Sequence, residues 1–420
     1  MTDFRIDLLS PPFKGHLHPM LAMGRMLAGH GYRVRVISSA AARTDIETAG
    51  LEALILSGIN EQQLSEVINP PRAIGHSPFK LAAQFAAVLN FLSHISVQLE
   101  QIYRCDPVDL IIADFTLPPA GIIADRLGIR WWTSLPSPCV LECGDGPPAY
   151  LGGWLLARTP AGKLVNMLGR KLIRVFKRTL FLLYRKPIRA LGLQQVYRED
   201  GSEAIYSAET ILCLGEQQLE FAQRWPIAAA FIGPMLYTPG VSDMPEPEFR
   251  MARHYILVTL GTHLNHHKEI LWQAVNKIAA EYPEFVFHFS NGGLSTDSVT
   301  SAPNCQRYDY INYQHFIDRY SLVIHHGGAG IMYHCLRQQI PAIVFPHDYD
   351  QFDHAARLSQ HGLAIWLRSI DELNAAIQQA LDPAIRDRLK GFSDTMDEPS
   401  ERLLTLIRNA LTDVPQSAAE

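Results

Sequence analysis

The amino-acid sequence predicts an α/β protein with two domains, each built on a parallel sheet. Short apolar runs of strand length alternate with segments of helical periodicity, a pattern typical of parallel strands covered by helices on both faces. This alternation occurs twice, and the stretch "TPGVSDMPEPEFR", rich in proline and acid, separates the two halves. With 420 residues, the chain is long enough for two or three domains.

The order of the runs defines the expected elements. Predicted strands in the first half are 4–10, 32–38, 108–114 and 130–135. Predicted strands in the second half are 255–260, 285–290, 322–324 and 341–345. Helical periodicity covers 20–28, 80–102, 268–280, 331–337 and 351–359. The predicted domains are 1–237 and 251–395, joined by a linker at 238–250 and followed by a helix and tail at 396–420 that packs back on the first domain.

Composition narrows the class of protein. The net charge of −5 makes no case for nucleic acid. The six cysteines contain no C-x-x-C pair, which argues against a zinc knuckle and favours reduced thiols in the cytoplasm. The start, "MTDFRIDLLSPP", is not typical of a signal peptide, and no apolar stretch reaches the ~20 residues that span a bilayer. We therefore expect a cytoplasmic protein, at most peripheral at the inner face of the membrane.

One segment differs in charge from the rest. Residues 146–198 contain no acid, and an apolar stripe runs among many Lys and Arg side chains between 158 and 189. The expected arrangement packs the stripe on the domain and exposes the basic face. A basic amphipathic helix lying on an anionic membrane surface is the alternative.

Polar side chains follow two strands of the first half. Because ligands bind beyond the carboxyl ends of parallel strands, these positions are candidates for chemistry. The turn "PPFKGHLHP" places His16 after the first strand, and Asp114 ends the strand at 108–114. A carboxylate that accepts a hydrogen bond from an imidazole orients it and stabilises its protonated form. His16 is thus a candidate general base and Asp114 its partner, although a solvent-exposed turn and a helix cap are the alternatives.

The stretch "HHGGAG" at 325–330 follows a strand of the second half. Its glycines allow close approach of a ligand, and the helix predicted behind it presents free N–H groups to an anion such as a diphosphate. His325 adds a donor. The spacing fits neither a dinucleotide-binding G-x-G-x-x-G nor a P-loop.

Other strand ends of the second half add polar groups. Asp350 and Gln351 offer the acceptors and donors that a sugar demands, and Gly261 and Thr262 offer open backbone and a hydroxyl. Neither the Asp348-x-Asp350 pair nor the adjacent histidines have the spacing of metal ligands. No metal and no cofactor is expected.

Together these motifs resemble the nucleotide-sugar-dependent glycosyltransferases of the GT-B fold. More narrowly, they resemble the UDP-glycosyltransferase-like enzymes of bacteria and plants that act on small molecules, and the bacterial macrolide type among them. The matching stretches, in chain order, are "GHLHP" at 15–19, "IIADF" at 111–115, "FIGP" at 231–234, "VTLGT" at 258–262, "HHGGAG" at 325–330 and "PHDYDQ" at 346–351.

The resemblance implies two Rossmann-like domains that face each other across a cleft. It implies His16 and Asp114 as the catalytic pair and Asp350 and Gln351 as the sugar-binding pair. The nucleotide and diphosphate residues it implies are Gly261, Thr262, Tyr310, His325, Gly327, Gly328, Ala329, Gly330 and Tyr333.

Two positions depart from the family pattern. Tyr333 stands where a glutamate usually binds the ribose, and Tyr310 stands for the tryptophan that stacks on the base. A missing glutamate fits a dTDP-sugar, which has no 2′-hydroxyl, although UDP is the expected nucleotide.

The resemblance implies an inverting, metal-independent hexosyltransferase of secondary metabolism that moves a sugar, expected to be glucose, from a UDP-sugar to a hydroxyl. The segment 148–191 is expected to shape a pocket for a hydrophobic small-molecule or lipid-like acceptor. A dTDP-sugar transferase of a natural-product pathway, a sugar-nucleotide epimerase or hydrolase, and an inactive auxiliary binding protein are the alternatives.

Overall fold

The computed structural model describes residues 4–59, 78–240, 246–250, 254–262, 264–293 and 302–412. Two parallel sheets organise these residues, one in each half of the chain. Every pair of neighbouring strands within them is parallel. The predicted α/β class is confirmed. Part of the predicted linker, residues 241–245, lies outside the described residues.

The first sheet has the order β3-β2-β1-β4-β5-β6-β7. Its strands are β1 Arg5–Leu9, β2 Arg33–Ser38, β3 Glu52–Ile55, β4 Leu110–Asp114, β5 Arg130–Leu135, β6 Ile211–Cys213 and β7 Ala229–Phe231. Strands β1 and β4 are almost completely buried, in keeping with their unbroken apolar runs.

The second sheet has the order β10-β9-β8-β11-β12-β13. Its strands are β8 His254–Thr259, β9 Phe285–Ser290, β10 Cys305–Tyr308, β11 Leu322–His325, β12 Ala342–Val344 and β13 Ile365–Trp366. Short strands such as β6, β10 and β13 were not predicted, because their apolar runs are too brief to show a period.

The helices of the first half are α1 Lys14–Gly29, α2 Arg43–Thr48, α3 Pro78–Cys105, α4 Pro118–Leu127, α5 Pro160–Leu183 and α6 Arg185–Leu191. The helices of the second half are α7 Asn265–Ile278, α8 Ala329–Arg337, α9 Gln351–Gln360, α10 Leu373–Ala380, α11 Pro383–Ser393 and α12 Pro399–Thr412.

Helix α1 begins earlier than predicted. We expected a turn through Pro19, but the helix already starts at Lys14 and includes Pro19. The buried side chains of Leu17 and Met20 hold its first turns on the core, which outweighs the helix-breaking residues Gly15 and Pro19. His16 therefore lies in the first turn of a helix rather than in a loop.

Each sheet reverses its strand order at one point. In the first sheet the reversal lies between β1 and β4, and in the second it lies between β8 and β11. The carboxyl ends of the strands at such a reversal leave a crevice where α/β proteins bind ligands. Asp114 and His325 are the last residues of β4 and β11, and the segments after β1 and β8 carry His16 and Gly261.

Helix α12 crosses from the second half of the chain to the first. Its residues Leu403 and Ile407 are fully buried in the core beneath the first sheet, together with Ile6 and Leu110. The first domain is thus completed by residues that follow the whole of the second sheet.

Helix α5 is amphipathic, but its predicted apolar stripe does not pack on the domain, while most of the basic residues between 158 and 189 are exposed as expected. Its leucines Leu164, Leu168 and Leu172 are exposed to solvent, while Arg174 and Lys177 turn inward and form ion pairs with Glu142. The reason is that the carboxylates of Glu142 and Glu203, from outside the helix, attract Arg174 and Lys177. Among the described residues, no helix is long and apolar enough to cross a membrane.

Candidate active site

His16 and Asp114 meet at the reversal point of the first sheet. The Nδ1 atom of His16 lies 2.9 Å from Oδ2 of Asp114. Strand β4 delivers Asp114 at its carboxyl end, where the carboxylate is buried, and α1 delivers His16, whose side chain is 28% exposed. The carboxylate is therefore shielded while the imidazole keeps access to the cleft.

The other oxygen of Asp114 is held by Thr116. Both the backbone N–H and the hydroxyl of Thr116 donate to Oδ1, at 2.9 Å and 2.5 Å. This contact leaves Oδ2 for His16, so Nδ1 carries the proton it donates and Nε2 keeps its lone pair. An imidazole in this tautomer can accept a proton from a substrate hydroxyl.

The charges around His16 favour its protonated form. Burial lowers the pKa of His16, but the negative charge of Asp114, the hydrogen bond from Nδ1 to Asp114 and the charge of Asp350 more than offset it, so the pKa lies above its ordinary value. Asp350 belongs to the second half of the chain. Groups from both halves thus act on the same imidazole.

On the other side of the cleft, His325 ends β11 and is completely buried. Its Nδ1 accepts the N–H of Gly327 at 3.0 Å, which places the proton on Nε2. Burial lowers the pKa of His325 to about 3, so the ring is neutral. Nε2 has no hydrogen-bond partner among the described residues. A buried donor without a partner costs about 1–3 kcal/mol, which an acceptor oxygen would relieve.

The loop behind His325 requires its glycine. Gly327 has a φ of +94°, and a Cβ there would lie 3.0 Å from Val344 and 3.1 Å from the carbonyl oxygen of Gln351. His354 of α9 donates from Nδ1 to the carbonyl oxygen of Gly327 at 2.7 Å. These contacts hold the loop tightly against β12 and α9.

Helix α8 begins directly after this loop. Gly328 is its N-cap residue and adds no side-chain cap. Ala329 and Gly330, which we expected in the loop, form the first helical turn. The free N–H groups and positive dipole end of α8 thus follow His325 by a few residues, which is the arrangement that favours an anion.

Asp350 and Gln351, the predicted sugar-binding pair, lie at the start of α9. Asp350 accepts a hydrogen bond from the hydroxyl of Ser137, which comes from the first half of the chain. The Oε1 atom of Gln351 accepts the N–H groups of His347 and Asp348 at 3.0 Å and 3.2 Å. Asp350 therefore lies at the junction of the two halves, while Gln351 braces its own loop through this oxygen.

Gly261 and Thr262 follow β8, the strand next to β11. Gly261 has a φ of +72°, and a Cβ there would lie 3.0 Å from the ring of His326. The loop after β8 is therefore in contact with the stretch at 325–330, as expected for neighbouring strand ends.

Tyr310, the predicted base-stacking residue, follows β10 and is partly buried. Burial raises the pKa of Tyr310, and the charge of Asp45 from the first half raises it further. Tyr310 therefore lies where the two halves approach each other.

Tyr333 stands at the predicted position of the ribose-binding glutamate, but its hydroxyl is engaged within the protein. Its side chain is fully buried in the core of the second half, and its hydroxyl accepts the backbone N–H of Glu216 at 3.1 Å. Tyr333 thus joins the two halves of the chain instead of presenting its hydroxyl to a ligand.

Two residues outside the sequence motifs support the site. Ser137 follows β5, so the argument from strand ends could have found it. His354 lies within α9, three residues after Gln351, and no local signal marks it as a partner of the loop at 327. Among the residues that the structure describes, no group of three or more His, Cys, Asp or Glu side chains could hold a metal ion.

Comparison with known proteins agrees with this geometry. Residues 256–406 match the model of the glycosyltransferase family 28 C-terminal domain. The chain is 21% identical to the NDP-glycosyltransferase YjiC of Bacillus subtilis over 99% of its own length and 95% of that protein.

The fold is also found in solved structures. The chain superposes on the glycotransferase of kitacinnamycin with a TM-score of 0.73 and 20% identity, covering 98% of this chain and all of that one. It superposes on the spinosyn rhamnosyltransferase SpnG, solved with thymidine diphosphate, with a TM-score of 0.64 and 17% identity, covering 96% of this chain and all of that one.

The two parallel-sheet halves, the match to the family 28 model and the similar glycosyltransferases together identify a glycosyltransferase of the GT-B type. Within that class, the chain is a UDP-glycosyltransferase-like protein, similar to enzymes of bacterial natural-product pathways.

Proposed function

We propose that this enzyme is an inverting, metal-independent hexosyltransferase that moves glucose from UDP-glucose to a hydroxyl of a hydrophobic small-molecule or lipid-like acceptor. The observation that carries the proposal is the pair formed by His16 and Asp114, with Nε2 of His16 left as the base and the charge of Asp350 acting on it from the second half. No side chain of this site depends on a metal ion for its proposed role.

In the proposed reaction, Nε2 of His16 takes the proton of the acceptor hydroxyl. The acceptor oxygen forms a bond to the anomeric carbon on the face opposite the diphosphate, and the bond from that carbon to the phosphate oxygen breaks with its electron pair. Configuration at the carbon inverts. The negative charge that develops on the diphosphate is stabilised by the N–H groups at the start of α8 and by Nε2 of His325.

Asp114 and Asp350 stabilise the imidazolium that forms on His16, and both raise its pKa already in the free enzyme. The carboxylate of Asp350 also binds a sugar hydroxyl in this proposal, in exchange for its hydrogen bond from Ser137. Sugar binding and base positioning would therefore be linked through one side chain.

The acceptor side supports an apolar ligand. The ring of Phe115 lies 5.7 Å from the ring of His16, so an aromatic face borders the base. The segment from Tyr150 to Gly153 meets α9, where the N–H of Tyr150 donates to Asp353 at 2.9 Å. In this proposal an apolar acceptor packs on the ring of Phe115 with its hydroxyl toward Nε2 of His16.

A second candidate donor is a dTDP-sugar. The position expected to bind the ribose 2′-hydroxyl is Tyr333, whose hydroxyl is held by Glu216. The structure thus presents no carboxylate from this position, and the similar protein SpnG was solved with thymidine diphosphate. Calorimetric titration with UDP and with dTDP distinguishes the two donors.

The decisive experiment incubates the enzyme with UDP-glucose or dTDP-glucose and a panel of aglycones, and detects glycosides by mass spectrometry. His16→Ala should lower transfer by ~10²–10⁴-fold while the affinity for the nucleotide is kept. His30→Ala, at the exposed end of the same helix, is the matched control and should behave like the wild type.

Each outcome has a meaning. Transfer by His16→Ala at near the wild-type rate refutes the assignment of the base. Consumption of donor without any acceptor supports an epimerase or hydrolase instead. Nucleotide binding without turnover on any donor and acceptor supports an auxiliary binding protein.

A further inference from the structure

Helix α5 carries an apolar surface that faces solvent. The residues of this outer stripe, each between 51% and 70% exposed, are Leu164, Val165, Leu168, Leu172, Val175, Leu182 and Leu183. They recur at helical spacing and extend over about 30 Å of the helix. A soluble surface rarely leaves such a continuous apolar strip uncovered, so the strip marks an interaction site.

The orientation of the stripe is held from the inner side of the helix. Lys177 forms ion pairs with Glu142, at 2.8 Å, and with the buried Glu203. Arg174 pairs with Glu142 at 2.8 Å, and Arg170 donates to the carbonyl oxygen of Gly146. Breaking these contacts would leave the carboxylates of Glu142 and Glu203 without a cation to balance their charge, so α5 cannot roll over to bury its leucines without a large cost.

Positive charge flanks the stripe. The exposed basic residues of this rim are Arg158, Lys163, Lys171, Arg178, Arg185, Lys186 and Arg189. The segment 146–198 contains no acid to neutralise them. The inward cations of α5 are paired, whereas the outward ones surround an apolar strip.

We propose that the outer stripe and its basic rim dock the enzyme on an anionic lipid surface, with α5 lying parallel to the plane of the bilayer. Leucine side chains enter the boundary between headgroups and acyl chains, while Lys and Arg stay at the level of the phosphates. The inward ion pairs keep the helix attached to the domain, so the helix lies on the surface of the bilayer instead of inserting into it. This docking is independent of which sugar or acceptor the enzyme uses.

Charge distinguishes a lipid surface from a second copy of the chain. In a symmetric dimer through this face, the basic rims would meet each other, and like charges would oppose association. An anionic headgroup layer instead attracts every residue of the rim, by about 1 kcal/mol for each Lys or Arg near the surface. The combination of an apolar strip and a basic rim therefore fits a membrane better than a copy of itself.

The test is co-sedimentation of the full-length enzyme with vesicles of phosphatidylcholine alone, or of phosphatidylcholine mixed with an equal amount of phosphatidylglycerol. We expect binding to the mixed vesicles at low salt, weaker binding at high salt, and little binding to neutral vesicles. A combined variant with Leu164→Gln, Leu168→Gln and Leu172→Gln should lower partitioning at least ~10-fold. These side chains are exposed, so the fold should tolerate the change.

A second variant tests the rim. Replacing Lys163, Lys171 and Arg178 with Gln should lower binding to mixed vesicles by ~100-fold at low salt. The matched control combines Ile227→Gln and Ile270→Gln, two exposed apolar residues elsewhere on the surface, and should bind like the wild type. The thermal unfolding of every variant is measured alongside.

Three results would overturn the proposal. In the first, the wild type does not sediment with the mixed vesicles. In the second, both sets of Gln variants bind as well as the wild type. In the third, sedimentation velocity reveals a dimer that the leucine variant abolishes. The last result would assign this face to a second copy of the chain. None of the three depends on glycosyl transfer, so failure here and failure of the proposed function can be told apart.

Discussion

The substitution Asp114→Asn tests the catalytic pair at the level of single hydrogen bonds. The amide has nearly the same shape as the carboxylate, so the fold should be kept. The backbone N–H of Thr116 donates to Oδ1 of Asp114. In the variant, only the oxygen of the new amide can accept this hydrogen bond. The amide NH₂ must then face Nδ1 of His16, 2.9 Å away in the wild type.

That arrangement reverses the tautomer of His16. Nδ1 becomes the acceptor, Nε2 carries the proton, and the ring can no longer take a proton from the acceptor hydroxyl. Because a positioned general base contributes ~10²–10⁴-fold, we expect kcat to fall by at least ~10²-fold, or about 3 kcal/mol in the barrier. Donor affinity should stay unchanged, since the proposed diphosphate contacts lie on the second half.

The pH profile gives an independent readout. In the wild type, the charge of Asp114 raises the pKa of His16, so activity falls as the pH drops through that raised value. Without the carboxylate the pKa falls, and the acidic limb of the residual kcat/KM moves to lower pH.

Steady-state transfer is measured by chromatography between about pH 5 and pH 9. The control is Asp109→Asn, the same change at the exposed residue directly before β4, the strand that ends at Asp114. A kcat within about threefold of the wild type, or an acidic limb that does not move, would refute the reasoning.

Three further predictions concern the contacts between the halves and the donor loop. Arg357→Met leaves the buried Glu220 without its ion-pair partner and should lower the free energy of unfolding by about 3–5 kcal/mol. Adding Glu220→Leu in a double variant should restore most of this stability, and an equal loss in the double variant contradicts the prediction. Gly327→Ala places a side chain in a crowded left-handed backbone position and should weaken UDP binding at least ~10-fold in calorimetry. Gly391→Ala, at a position with open space around it, should leave the affinity for UDP unchanged. Equal UDP affinities of the two variants would count against the diphosphate site. Burial raises the pKa of Asp353 to about 7, so between about pH 4 and pH 7 the folded protein holds a proton that the unfolded chain has released. The free energy of unfolding should therefore fall as the pH rises through this range. Asp353→Asn should flatten this slope in denaturant titrations, and an unchanged slope would exclude Asp353 as its source.

The fold and part of the site could be predicted from local patterns. Alternating apolar runs indicate parallel sheets, and the ends of those runs carry His16, Asp114 and His325. The pairing of His16 with Asp114 follows from strand order, because β1 and β4 are neighbours. Such conclusions need only the chemistry of each strand end and the rule that ligands bind at the reversal of a sheet.

What could not be predicted depends on where distant segments meet. Tyr333 occupies the position of the ribose-binding glutamate in the family pattern, but its hydroxyl accepts a hydrogen bond from the backbone N–H of Glu216 in the other half. The period of α5 shows that it has two faces, but only Glu142 and Glu203, from outside the helix, decide that Arg174 and Lys177 turn inward and that the leucines face solvent. Sequence periodicity describes an element and leaves its partners open.

The placement of α12 has a consequence for synthesis on the ribosome. Leu403 and Ile407 fill the core under β1 and β4, yet they are translated only after the whole second sheet has emerged. During most of elongation the first domain therefore holds a hydrophobic gap that no earlier residue fills. The nascent chain needs either shielding by a chaperone or tolerance of a loosely packed intermediate until this closing helix arrives.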